Sequence, residues 1–86
     1  MPEISRFLGI VIAMYYNDHG PAHFHARYGD RVVRIAIEDG RILSGEFPRR
    51  ARCLVLEWLE LHREELREDW LLAKQRKPLM KITPLE

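Results

Sequence analysis

Three of the four histidines in this 86-residue chain lie in one short segment, DHGPAHFHARYGD, which spans residues 18–30. They are His19, His23 and His25. Three imidazoles can hold Zn²⁺ and leave one coordination position open, as in many catalytic zinc sites. Neutral histidines can also transfer protons near neutral pH. The segment therefore predicts either a metal site at all three histidines or acid–base catalysis by His23 and His25.

Two arginines accompany these histidines. Arg27 follows His25 in the same segment, and Arg34 lies in the next apolar run. A guanidinium group binds phosphate in a forked geometry, so arginine beside histidine suits the binding or cleavage of RNA. The same charges would repel a cation, which makes zinc a candidate cofactor that the sequence does not favour. The plainest alternative is a solvated strand face whose polar side chains include histidine.

The histidines are predicted to lie on a strand, because AHFHARY alternates between apolar and polar residues. Phe24, Ala26 and Tyr28 should face the core, and His23, His25 and Arg27 should face solvent. Gly-Asp between two β-patterned runs predicts a tight hairpin at residues 29–30. The predicted facing pairs are Tyr28–Arg31, Arg27–Val32, Ala26–Val33, His25–Arg34, Phe24–Ile35 and His23–Ala36.

Further strands are predicted on either side of this hairpin. LGIVIAMYYND favours a first strand at about residues 9–16, since it is rich in β-branched and aromatic residues. Asp39-Gly40 predicts a second tight turn that pairs Ile37 with Ile42. The fourth strand would be RILSGEF, where Gly45 indicates a bulge.

A helix is predicted at about residues 48–76, beginning at Pro48 and uninterrupted by glycine or proline. Twenty-eight helical residues span ~42 Å, whereas a seven-residue strand spans ~23 Å. The helix should therefore kink near residues 61–63 or overhang the sheet and pack on a partner chain. In the second case Trp70 is the predicted interface anchor, since tryptophan is enriched at interface hot spots. A short final strand is expected at about residues 79–83.

The first turn of this helix contains Arg49, Arg50 and Arg52. A helix N-terminus is positive, so cations are disfavoured there. A bound anion would resolve the conflict, because free N–H groups and arginines both favour phosphate or carboxylate. The alternative is that these long side chains simply extend into water.

Composition limits the class of protein. The net charge is +1, and 31% of the residues are charged, which fits one globular domain spanning residues 1–86, with its sheet at about residues 4–46. A single cysteine excludes an intrachain disulfide. The N-terminus lacks the pattern of a secretory signal, and the first apolar run is too short for a membrane helix. We expect a cytoplasmic protein that does not enter a membrane.

The segments MPEISRFLGIVIAMYYNDHGPAHFHARYGD and PRRARCLVLEWLELHREELREDW resemble the bacterial family called domain of unknown function 4160. The His-Gly-Pro-Ala-His-Phe-His-Ala motif carries much of this resemblance, which covers nearly the whole chain. Members of the family are often encoded beside another small protein, and some such pairs are labelled toxin–antitoxin modules. The resemblance implies a small partner protein encoded nearby but no catalytic residue.

Together these observations predict an α+β fold. It consists of a small antiparallel β-meander of three to four strands with a long or kinked C-terminal helix on one face. A short final strand is expected to follow the helix. The favoured function is a small bacterial interaction or nucleic-acid-associated protein, forming one half of a toxin–antitoxin-like pair or a homo-oligomer. The alternative is a histidine-based or metal-dependent enzyme that acts on RNA.

Overall fold

The computed structural model describes residues 2–16 and 18–85, and it confirms the α+β fold. Five strands form one antiparallel sheet in chain order, and a long helix follows them. The strands are β1 (Glu3–Phe7), β2 (Ile10–Ala13), β3 (His23–Tyr28), β4 (Arg31–Ala36) and β5 (Ile42–Ser44), and the helix is α1 (Arg49–Lys74).

The sheet has one strand more than predicted, because the mixed segment EISRF, which precedes the predicted first strand, forms β1. β1 and β2 are joined at Leu8 and Gly9, which both have positive φ, 51° and 83°. Phe7 faces Ile10 directly across this turn. Leucine seldom adopts positive φ, so the sequence offers no ordinary turn signal at this point. The strand predicted at about residues 9–16 corresponds to β2, which begins at Ile10 but ends at Ala13, three residues earlier than predicted.

The central hairpin of β3 and β4 confirms all six predicted facing pairs, from Tyr28–Arg31 to His23–Ala36. Phe24 and Ala26 are fully buried, as predicted. Tyr28 is not, since 41% of it is exposed. It is the last residue of β3, beside the turn, and its ring packs edge-on against Phe47 at 6.2 Å between centroids.

The second hairpin differs from the prediction, because Ile42 pairs with Ile35 and not with Ile37. Ile37 is fully buried, and its N–H donates to the Ala22 carbonyl at 3.0 Å. β4 therefore ends at Ala36, before the Asp39-Gly40 turn sequence. A longer loop results, in which the Gly40 N–H donates to the Ala36 carbonyl at 3.0 Å. The Asp39 carboxylate accepts from the Arg41 N–H at 3.0 Å.

The core lies between α1 and one face of the sheet. Trp58 is its largest fully buried side chain, with ring centroids 5.5 Å from Phe7 and 5.9 Å from Phe24. Ala51, Val55, Trp58, Leu59, Leu66 and Ala73 form the buried apolar stripe of the helix, as its helical spacing predicts.

The helix bends at His62, whose φ of −126° and ψ of 23° are not helical. A straight helix of 26 residues would extend ~39 Å, but the longest dimension of the molecule is 33 Å. Beside the bend, the Arg63 Nε donates to the Ile37 carbonyl at 2.8 Å. The predicted kink is thus confirmed. The helix does not overhang the sheet, so its length no longer argues for a partner chain.

Residues 77–85 form no strand, contrary to the expectation for residues 79–83. This segment nevertheless runs beside β1, where the Ile82 N–H donates to the Ile4 carbonyl at 2.8 Å. The indole N–H of Trp58 donates to the Thr83 carbonyl at 2.9 Å and so ties the same segment to the core. Within residues 2–16 and 18–85, no helix has the length and apolarity needed to cross a membrane.

Candidate functional site

β3 begins at His23, and its alternation places His23, His25 and Arg27 on the sheet face opposite the buried Phe24. His23 was expected to be exposed with the other two, but only 1% of it is accessible. The Trp70 ring of α1 lies 5.2 Å from its ring, and Asp18 of the preceding loop lies against its edge. The helix bend and the loop therefore cover the first residue of the strand.

Both ring nitrogens of His23 face oxygen atoms. Nδ1 lies 2.8 Å from the Pro21 carbonyl, and Nε2 lies 2.9 Å from Asp18 Oδ2. A carbonyl can only accept, so Nδ1 must carry a hydrogen. Nε2 faces the half-buried Asp18 carboxylate. The His23 ring is thus held at both nitrogens, by a backbone carbonyl on one side and a carboxylate on the other.

His25 lies between His23 and Tyr15, with ring centroids 5.4 Å and 4.4 Å away. Its Nδ1 is buried and has no hydrogen-bond partner among the described residues. An unsatisfied buried polar atom costs about 1–3 kcal/mol. Burial lowers the pKa of His25, and the neighbouring His23 lowers it further, while Asp18 opposes them. The ring is therefore held neutral, with a nitrogen lone pair that no described residue uses.

Asp18, His23 and His25 form a compact group of donors. Each offers one ligand atom, and these atoms all lie within 4.8 Å of one another. His19 does not belong to this group, and its side chain is exposed. The structure thus unites two of the three predicted histidines and adds Asp18, which the sequence reasoning did not select. Only its place at the start of the histidine-rich segment could have drawn attention to it.

The sheet face around His25 is not covered by the helix, and we call it the open face. On strands β2 to β5 and the residues that follow β2, it consists of Val11, Ala13, Tyr15, His25, Arg27, Val32, Arg34 and Ser44. None of these residues is acidic, but β1 adds the ion pair of Glu3 and Arg6 at the edge of the same face, where Glu3 pairs with Ala13 and Arg6 with Val11. Arg27 is exposed, and 47% of Val32 is accessible beside it. A basic surface with aromatic and apolar patches results.

The arginines of the open face make no direct ion pair with a described carboxylate, although the charge of Arg27 helps to lower the pKa of Glu3 after the larger effect of Arg6. Among the described residues, neither Arg27 nor Arg34 has a carboxylate at ion-pair distance, whereas Arg6, Arg63 and Arg67 each do. The Arg34 Nε donates to the Ser44 hydroxyl at 3.0 Å, which orients the guanidinium without neutralising it. Guanidinium groups without a direct ion pair are suited to phosphate or carboxylate ligands.

The arginines at the start of α1 lie elsewhere. Arg49 and Arg50 are exposed and Arg52 is half-buried, and no side chain caps this end of the helix. Arg50 lines a groove of about 270 Å³ together with Tyr28, the last residue of β3. Tyr28 and Arg27 are successive residues of β3, so their side chains point to opposite faces of the sheet, and the groove and the open face lie on opposite sides. The two predicted anion sites are therefore separate.

Trp70 is half-buried, between the His23 ring and the ammonium group of Lys74, which lies 5.3 Å from its ring centroid. The overhang that motivated its prediction as an interface anchor is absent, and its contacts are within the chain. Contact with a partner stays a prediction. Its observed place is at one end of an aromatic row formed by Tyr15, His25, His23 and Trp70.

Comparison with known proteins adds a family but no activity. No curated protein matches the chain, and no solved structure does. A family model described as "Domain of unknown function (DUF4160)" matches residues 9–71, which include β2 to β5, the histidine-rich segment and most of α1. The resemblance seen in the sequence is thereby confirmed, and the chain belongs to the DUF4160 family.

Proposed function

We propose that this protein binds single-stranded RNA on the open face of its sheet. The observation that carries the proposal is a pair of guanidinium groups, Arg27 and Arg34, that make no direct ion pair and lie on the same sheet face as the half-buried Tyr15–His25 ring pair. Sheets that bind single strands use aromatic rings to stack bases and cations to hold the backbone. A nucleic-acid-associated role also fits the predicted cytoplasmic location.

The distribution of charge supports the same surface. The exposed glutamates concentrate on α1, on the other side of the sheet from Arg27. Two of the helix arginines are committed to them, since Arg63 pairs with Glu60 and Arg67 pairs with Glu64. A polyanion approaching the helix would therefore meet acidic side chains, whereas the open face presents mainly cationic, aromatic and apolar ones, with Glu3 at its β1 edge paired to Arg6.

The ring pair limits the kind of RNA. Tyr15 and His25 are each half-buried, and their rings meet at 86°. An unpaired base that stacks on one of these rings would contribute about 1–3 kcal/mol. Base pairs in a duplex are already stacked and cannot reach such a surface. Binding should therefore favour single strands and tolerate different base sequences.

The test is fluorescence anisotropy with a labelled oligouridine 12-mer at several salt concentrations. Arg27→Gln and Arg34→Gln should each weaken binding about 3–10-fold and reduce the slope of log K against log salt by ~0.7. Arg41→Gln makes the same charge change in the loop between β4 and β5, outside the open face, and should change binding less than about twofold. Duplex RNA of the same length should compete poorly.

Three results would contradict the proposal: no saturable binding, equal losses in all three variants, or a preference for duplex RNA. Arg50→Gln tests the start of α1 separately, and a larger loss there would place the anion site on the helix. Cleavage of the RNA that disappears in His25→Ala would instead support the histidine-based enzyme. Co-purification with a small acidic protein that blocks RNA binding would support the toxin–antitoxin-like pairing.

A further inference from the structure

We propose that Asp18, His23 and His25 bind one divalent transition-metal ion of the zinc class. Their three ligand atoms already lie within 4.8 Å of one another. Two imidazoles and one carboxylate are a donor set that favours zinc and similar first-row metals over calcium or magnesium, which prefer oxygen ligands. Three protein ligands would leave one coordination position for water or another small ligand.

The His23 ring is pre-oriented for this role. Its Nδ1 donates to the Pro21 carbonyl at 2.8 Å, which fixes the hydrogen on that nitrogen. The lone pair of the neutral ring is then on Nε2, the atom that faces Asp18 at 2.9 Å. Metal-binding histidines are commonly held in this way by a backbone carbonyl behind the ring. The metal would lie between this nitrogen and the Asp18 carboxylate.

His25 supplies the second, independent observation. Its Nδ1 is buried without a hydrogen-bond partner among the described residues, so the ring has unused bonding capacity. Because His23 and His25 are alternate residues of one strand, their rings project from the same face.

Only small movements would complete the site. Zinc–ligand distances of ~2.0–2.2 Å require tetrahedral ligands about 3.3–3.6 Å apart. The 2.9 Å contact between Asp18 and His23 must widen slightly, and the ligand atoms that are up to 4.8 Å apart must close by about 1.3 Å. Asp18 comes from a loop and His25 is half-buried, so both side chains have room to adjust.

The surrounding charges give the proposal a diagnostic feature. Asp18 offsets one positive charge of the ion, whereas Arg34, which acts electrostatically on His25, opposes the ion. Removing the Arg34 charge should therefore strengthen metal binding, although the same change should weaken RNA binding. The two proposals thus predict opposite effects of Arg34→Gln, and either can fail without the other.

The experiment is calorimetric titration of ZnCl₂ into the full chain after treatment with a chelator. We expect one site per chain, with affinity reduced at least about tenfold in His25→Ala and in Asp18→Asn. His19→Ala is the matched control, because this neighbouring histidine is exposed and outside the group. It should change affinity less than about twofold.

His23 is buried and its replacement could prevent folding, so the test uses His25 and Asp18, with circular dichroism to confirm that each variant is folded. The visible spectrum of bound Co²⁺ gives a second readout, which should report tetrahedral coordination in the original chain and be lost in His25→Ala. An absence of saturable binding, an unchanged affinity in His25→Ala, or an equal loss in His19→Ala would overturn the proposal.

Discussion

Gly45 is the position where adding one methyl group should disturb the fold most specifically. Its φ is +86°, a conformation that costs an L-residue about 1–2 kcal/mol. A Cβ atom there would also lie 2.1 Å from the backbone oxygen of Val32, although real Cβ atoms essentially never approach another atom closer than 3.0 Å. The backbone of β4 would have to move by about 0.9 Å to remove the overlap.

The chain offers a control matched in φ. Gly20 has a φ of +87°, but a Cβ added there meets nothing within 4 Å. Gly20→Ala should therefore lose only the conformational part, about 1–2 kcal/mol. Gly45→Ala adds a steric part of about 1–3 kcal/mol, so its total loss should be about 2–5 kcal/mol. A chain of 86 residues has only about 4–13 kcal/mol of stability.

Urea unfolding followed by circular dichroism measures both losses, provided that each transition is two-state. The difference between the two variants isolates the contact with Val32 from the effect of positive φ. Equal losses would refute the reasoning, since they would show that the backbone of β4 yields at no cost. RNA binding gives a second readout, because Val32 belongs to the open face.

Three further predictions concern the packing of α1. Trp58→Phe loses the N–H that donates to the Thr83 carbonyl and should lower the free energy of unfolding by about 1–3 kcal/mol. Amide hydrogen exchange in residues 77–85 should become faster, and unchanged exchange would contradict the prediction. Arg63→Lys loses the two hydrogen bonds from the guanidinium group to the Glu60 carboxylate and should lower the free energy of unfolding by about 1 kcal/mol. An unchanged midpoint of urea unfolding would show that the helix bend at His62 does not need the guanidinium group. Burial raises the pKa of Asp69, and two neighbouring glutamates raise it further. The hydrogen bond from the Met80 N–H opposes this rise. The folded chain therefore holds this proton more tightly than the unfolded chain, and stability should fall as pH rises from ~4 through the raised pKa. Asp69→Asn should remove that part of the pH dependence. If the free energy of unfolding of the variant and of the original chain changed in parallel from pH 4 to 8, Asp69 would not be the group responsible.

The central hairpin could be predicted from the sequence because two independent signals agree there. Strict alternation fixes the faces of β3, and the Gly-Asp turn fixes the register with β4. The second hairpin could not be predicted in this way. Asp39-Gly40 does lie in a turn region, but Ile37 is buried and β4 ends before it, so the pairing starts closer to the sheet than the turn signal indicates. Tertiary packing thus overrode a local preference.

The candidate site was only partly predictable for a similar reason. Alternation placed His23 and His25 on one face, but it carries no information about what covers that face. Trp70 reaches His23 only because α1 bends at His62, and Asp18 reaches it through a loop of irregular backbone. Contacts between residues about fifty positions apart depend on the fold and cannot be inferred from spacing.

The segment that follows α1 has a consequence for how copies of the chain meet. The outermost strands of a sheet expose backbone groups that can recruit a strand from another molecule, which leads to aggregation. Here the carbonyls of Glu3 and Ile4 on β1 accept from the Lys81 ammonium group and the Ile82 N–H. At the other edge, β5 has only three residues and ends just before Gly45. Strand addition is therefore hindered at β1 and limited to three residues at β5. This protects the chain from edge-to-edge aggregation and favours association through side chains on the sheet faces or on the helix.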